Sequence, residues 1–170
     1  MGVEEKFSPG LDGVVAAETN ISFLDTIHGE IVIKGYDLIE LSKTSSYLDI
    51  VHLLLEEGLT NPEQKAALEE KLKREYDVPL EVFEMLKLLP AKTHPMDGLR
   101  TGISALSGSD SQLDGCSLAA NKNRAYQLLG KIPNIVANSY RILHKEALVA
   151  PRQELSYSAN FLYNHFLLQV

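Results

Sequence analysis

The chain has one cysteine, Cys116, among 170 residues. An internal disulfide is therefore excluded, and a reducing, cytoplasmic setting is the expectation. It has no apolar run of the length needed to cross a bilayer,. Its first residues, MGVEEKFSPG, lack the apolar core of a secretory signal,. It also lacks a basic surplus: 16 Lys and Arg are scattered among 23 acids, for a formal net charge of −7. Phosphate neutralisation requires clustered cations, so nucleic acid is not an expected partner, and neither is a membrane.

Several chemical signatures are missing as well. Gly98-Leu-Arg-Thr-Gly102 lacks the Lys-Ser/Thr of a phosphate-binding loop,. No GxGxxG follows a strand, and there is no GxSxG,. His28, His52, His144 and His165 are not spaced as metal ligands, and Cys116 has no cysteine nearby,. No cofactor or metal site is predicted.

What is present is a helical pattern. Hydrophobic residues make up 45%, enough for a packed core at this length,. Residues 1–12 read as an N-terminal arm and 13–170 as one domain. Ile21–Leu24 and Glu30–Ile33, joined through Gly29, predict a β-hairpin. Leu38, Ile39 and Leu41, then Tyr47, Ile50, Val51, Leu54 and Leu55, predict a helical run ending at a Gly58 C-cap. Asn61-Pro62-Glu63-Gln64 is a capping-box start, with Ala66, Leu68 and Leu72 expected to form the buried stripe,. Pro79 introduces a short helix with Val82, Phe83, Leu86 and Leu89, stopped by Pro90. The next helix runs from Thr93-His94-Pro95 to about Gly108. An exposed loop, 108–117, precedes a long helix from Leu118 to Lys145, with Pro133 as a kink or break. A last helical segment starts at Ser156. The fold class is all-α with one small hairpin.

Two features bear on function. His94 and Asp97 place an imidazole and a carboxylate together at a helix start, which would suit a general acid/base pair. The same residues also suit a cap, from His94 or Thr93, with Asp97 at the positive end of the helix dipole. Gly98, Gly102 and Ala105 lie near one helix face, and two glycines there cost about 1 kcal/mol each relative to Ala. Close approach of another helix would offset that cost.

Several segments together resemble the citrate synthase family. Pro9–Thr19 resembles its N-terminal entry, and Ile33–Leu41 its strand-to-helix segment, with Lys34 where Arg is more usual. Leu89-Pro-Ala-Lys-Thr-His94-Pro-Met-Asp-Gly-Leu-Arg100-Thr-Gly-Ile-Ser-Ala-Leu106 resembles its HPM helix and is the most specific match. Ala125-Tyr126, Ile132-Pro133 through Tyr140-Arg141, and Leu155–Tyr163 continue the resemblance, which is nearest to the citrate/2-methylcitrate synthases of Gram-positive bacteria. It implies a helical large-domain-like bundle from a family that condenses acetyl-CoA or propionyl-CoA with oxaloacetate. An Asp base, two His and several Arg do that chemistry, and they lie in Gly-His-Arg and His-Gly-Gly type segments. Neither segment occurs here.

The resemblance therefore assigns no catalytic residue and implies a chain that is inactive alone. A frameshift, a premature stop or a deliberate truncation would each give that pattern. It further implies a homodimer through Met96, Gly98, Leu99, Gly102, Ile103, Ala105, Leu106, Ile135, Ala137 and Tyr140. The alternatives are a non-catalytic dimerisation module, a truncated and inactive gene product, or a self-contained lyase or hydrolase using His94 and Asp97.

Overall fold

The computed structural model describes residues 8–110 and 115–166. The chain divides into two compact units, Met1–Leu59 and Thr60–Val170.

The first unit is a small antiparallel sheet followed by two helices. Strand β1 (Ser22–Asp25) pairs with β2 (Glu30–Ile33), Phe23 opposite Val32, as the hairpin reading expects. Asp25 closes the intervening loop by accepting from the amides of Ile27 at 2.9 Å and His28 at 3.0 Å. The imidazole of His28 lies 2.7 Å from the same carboxylate. That contact, ahead of the two amides, holds the Asp25 carboxyl below its ordinary value,.

A third strand, β3 (Tyr36–Asp37), was not expected from the sequence. It pairs with β2 through the two-residue turn Lys34-Gly35, where φ is 49° and 87°. Positive φ at both central residues belongs to the tight hairpin turns whose twist matches a sheet. Lysine rather than Asn or Gly at the first position hides that turn from a propensity reading.

The predicted single run after Gly35 is two helices, α1 (Leu38–Thr44) and α2 (Tyr47–Glu56). Ser45 and Ser46 are extended, and Asp49 accepts from both the amide and the hydroxyl of Ser46 at 2.7 Å. This local capping arrangement outweighs the hydrophobic periodicity that continues across it. Leu48, Val51 and Leu53 are buried, whereas Tyr47 and Leu54 are exposed. The left-handed residue at the end of α2 is Glu57 (φ 63°), not Gly58.

The regular elements of the second unit are all helices among its described residues. Helix α3 (Pro62–Lys73) starts as predicted, with Asn61 and Gln64 capping one another reciprocally. Leu68 and Leu72 are buried, but Ala66 is exposed. Helix α4 (Leu80–Lys87) and helix α5 (Pro95–Ala105) follow, the latter running into a 3-10 turn at Leu106–Ser109. Helix α6 (Leu118–Leu143) continues through Pro133 without a break. Lys145 ends it in the left-handed conformation, with Glu146 N donating to Arg141 O at 2.8 Å,. Helix α7 (Tyr157–Phe166) closes the described chain.

Helices α3, α4, α5 and α7 all contact α6. The core joins Val78, Val82, Phe83, Leu86, Leu106 and Ile135, with Leu89, Leu99, Leu128 and Ile142 packed around it. Burying such side chains stabilises by about 1.5–3 kcal/mol each before entropy is counted.

Candidate functional site

His94 and Asp97 are engaged with different partners. His94 is the N-cap of α5, and its Nδ1 accepts from Met96 N at 3.2 Å. Asp97 accepts from Arg100 at 2.9 Å in an exposed pair one turn along the helix. Both are therefore used locally at a helix start, which is the capping reading. The other histidines are also locally bonded or stacked. His52 Nδ1 is 2.7 Å from Gly58 O, His144 Nδ1 is 2.8 Å from Tyr140 O, and His165 packs on the Tyr140 ring. Among the described residues, no group of three or more His, Cys, Asp or Glu could hold a metal ion. Cys116 is exposed and forms no disulfide.

The ten residues of the α5–α6 face differ in burial, with Leu99, Ile103 and Ala105 half-buried. Gly102, Leu106, Ile135 and Ala137 are buried in their own chain, with Ile135 and Ala137 at 0% exposure. A Cβ placed on Gly102 would meet Ile135 Cγ2 at 3.0 Å and Leu86 Cδ1 at 3.4 Å. The close approach that Gly102 permits is thus between α5 and α6 of one chain. Met96, at 61% exposure, and Tyr140, at 39%, remain available to another molecule. Gly98 is buried, yet a Cβ there would touch nothing within 4 Å. It lines a small recess with Leu89, His94, Ser139 and Ile142, into which the Ser139 hydroxyl brings no hydrogen bond of its own.

A second cavity, about 270 Å³, opens beside Ile103, Leu106, Leu128 and Arg124. Its charges are already paired. Arg124 donates to Asp110 at 2.9 Å and to Gly115 O at 2.6 Å, and Lys131 lies 3.0 Å from Glu75. A site whose cations are so neutralised offers little to an anion.

Sequence reading missed the polar residues that organise α6. Asn134 donates to Tyr76 O at 3.2 Å. Asn138 donates to Val149 O at 3.0 Å and accepts from Val149 N at 2.8 Å. Arg141 bonds to Ala147 O and to Glu146. These residues are nearly fully buried; Asn138 and Arg141 fasten the segment after α6 back along the helix, and Asn134 holds the α3–α4 connection. Asparagine is a poor interior helix former, so Asn134 and Asn138 four residues apart were the available signal. On the α7 side, Asn160 accepts from Arg152 N at 3.1 Å and donates to Arg152 O at 2.7 Å. Burial, and then the charge of Glu69, push the nearby Tyr76 phenol up to about 12, which the Asn160 amide only partly offsets,.

The arrangement is thus a helical scaffold with an exposed α5–α6 face and no assembled acid–base or metal centre among its described residues. Its relatives fit that description of the fold. The family model described as "Citrate synthase, C-terminal domain" matches residues 10–167. The chain belongs to the citrate synthase family. It is 64% identical over 158 residues to a citrate synthase of Heyndrickxia coagulans, covering 93% of this chain and 42% of that protein. It is 58% identical over 163 residues to the citrate/2-methylcitrate synthase of Bacillus subtilis (strain 168), covering 95% and 44%. The crystal structure of citrate synthase from Pyrobaculum aerophilum superposes with a TM-score of 0.86 at 27% identity, over 95% of this chain and 42% of that one. The chain spans about two fifths of the length of the relatives it matches.

Proposed function

We propose that this chain is a helical, dimer-forming portion of a citrate/2-methylcitrate synthase, and that the whole protein condenses acetyl-CoA or propionyl-CoA with oxaloacetate. The observation that carries this reading is the identity of 64% to a citrate synthase and 58% to a citrate/2-methylcitrate synthase, across more than nine tenths of the chain. A cytoplasmic setting in the tricarboxylic acid cycle or the related methylcitrate reaction goes with it. The single exposed cysteine supports the setting,. Among the described residues, no helix is long and apolar enough to cross a membrane.

The 170 residues contain neither Gly-His-Arg nor His-Gly-Gly. Deprotonation next to a thioester carbonyl needs a positioned base and hydrogen-bond donors aimed at the developing oxyanion. The 170-residue chain by itself is therefore inactive in this reading. A thiol-release assay with acetyl-CoA or propionyl-CoA plus oxaloacetate tests it. The expected result is no release above the protein-free rate. Turnover that follows the purified chain and vanishes in His94→Ala would overturn it in favour of a self-contained enzyme. Association is assigned to the exposed Met96 and Tyr140 of the α5–α6 face, with the half-buried Leu99, Ile103 and Ala105 beside them, around the recess at Gly98. Small residues beside an exposed apolar set suit an isologous contact between two copies.

A further inference from the structure

Among the described hydrogen bonds, His94 is the histidine whose ring nitrogen accepts. Its Nδ1 takes the amide of Met96 at 3.2 Å. Elsewhere the partner of Nδ1 is an oxygen with no hydrogen to give: the Asp25 carboxylate for His28, Gly58 O for His52 and Tyr140 O for His144. Those three rings donate from Nδ1 and keep their bonds when a second proton arrives at Nε2. An imidazolium carries a hydrogen on both nitrogens, so His94 cannot be protonated and still accept.

The position of this bond gives it weight. Pro95 opens α5 and has no amide, so Met96 N is the first donor of the helix, one that no helical carbonyl reaches,. The ring of His94 is exposed, and a proton can reach it from solvent. Protonation removes the cap and sets a cation at the positive end of the helix dipole. The helices packed there do not counter that charge. To the recess beside His94, α4 and its end bring Leu86 and Leu89, and α6 brings Ser139, Ile142 and Leu143, none of them titratable. The one carboxylate of α5, Asp97, is held by Arg100 at 2.9 Å. Lys92, two positions before His94, adds a charge of the same sign.

We propose that His94 is an acid-sensitive catch on the start of α5, closed while its ring is neutral and opened by protonation at Nδ1. Imidazole takes up that proton between about pH 8 and pH 5. Met96, whose amide the catch holds, is 61% exposed and belongs to the face assigned to association. Opening therefore loosens the first turn of that face and weakens the pairing of two copies as pH falls. This second step rests on the association reading above; the catch itself does not.

The test compares the full 170-residue chain with His94→Asn, whose side chain caps well and takes no charge in this range. Urea midpoints of both are measured at pH 7.5 and pH 5.5, and the wild type should fall relative to the variant at the lower pH. In proton–nitrogen NMR spectra of the wild type, which need no variant, the Met96 amide should move with the same midpoint as the His94 ring proton. Sedimentation equilibrium should show wild-type association weakening about fivefold between the two pH values, with a smaller change in His94→Asn. Parallel urea midpoints, or a Met96 amide that does not follow the His94 titration, would overturn the catch. A catch that titrates in a chain that is monomeric at both pH values would overturn the association step alone.

Discussion

The hydroxyl of Tyr157 donates to the carbonyl of Leu129 at 2.7 Å. Leu129 is four residues before Pro133, so its oxygen is the acceptor that the proline ring deprives of a helical amide,. A side chain from α7 thus fills the gap that a proline opens in α6, and this accounts for a helix that runs on through residue 133. The backbone amide of Tyr157 is also engaged, donating to Glu69 of α3 at 3.1 Å.

Tyr157→Phe removes that donor and leaves a carbonyl without a partner. A loss of about 1–2 kcal/mol is expected in urea unfolding. In a Pro133→Ala background the new amide takes the same carbonyl, so the cost of Tyr157→Phe should fall by more than half. Equal costs in both backgrounds would show that the hydroxyl is not replacing the helical amide.

Glycine-to-alanine changes within the helices should have opposite signs. At Gly130 a Cβ would stand 2.6 Å from Glu75 Cβ and 2.8 Å from Glu75 O. Backbone cannot give way cheaply there, and a net loss of about 2–3 kcal/mol is expected despite better helix propensity. At Gly98 nothing lies within 4 Å, so the same change should stabilise the single chain by about 0.5–1 kcal/mol,. Thermal or denaturant unfolding of the two variants side by side checks both signs.

Tyr76 predicts a pH dependence. Its folded pKa is raised from 10.0 to about 12, first by burial and then by Glu69. A group raised in this way contributes its full stability below the unfolded pKa and loses it as pH rises through the folded one. The wild type should therefore lose stability between pH 10 and about 12, beyond any loss seen in Tyr76→Phe. Denaturant midpoints of both proteins at pH 9 and pH 11 provide the comparison, and parallel midpoints would contradict the burial account.

Much of the helical order was legible because its signals are local. Asn61 with Gln64, Pro79 before α4, and His94-Pro95 before α5 are start chemistry that needs no distant partner. The hairpin was legible from two β-branched runs and a glycine. What sequence could not supply were decisions made by distant contacts or by uncommon turn residues. Lys34 takes a left-handed turn position usually read from Asn or Gly, so β3 went unseen. Gly102 was visible as a small residue, but not that Ile135, 33 positions later, is what it accommodates. Pro133 was read as an interruption because its substitute donor sits on α7. For the α5–α6 face, burial within one chain places Gly102, Leu106, Ile135 and Ala137 in the core and leaves Met96 and Tyr140 exposed, a division set by contacts between helices distant in sequence.

The association claim rests on the exposed set, and Met96 probes it most cleanly. It is 61% exposed in the first turn of α5, where a carboxylate is favoured by the helix dipole,. Met96→Glu should therefore leave the fold of the single chain intact while placing like charges across a two-fold contact. Sedimentation equilibrium of wild type and Met96→Glu, each well above micromolar concentration, is the direct measurement. The account predicts a dimer for the wild type and at least a tenfold weaker association for the variant. A monomeric wild type, or a variant that dimerises equally well, would contradict it.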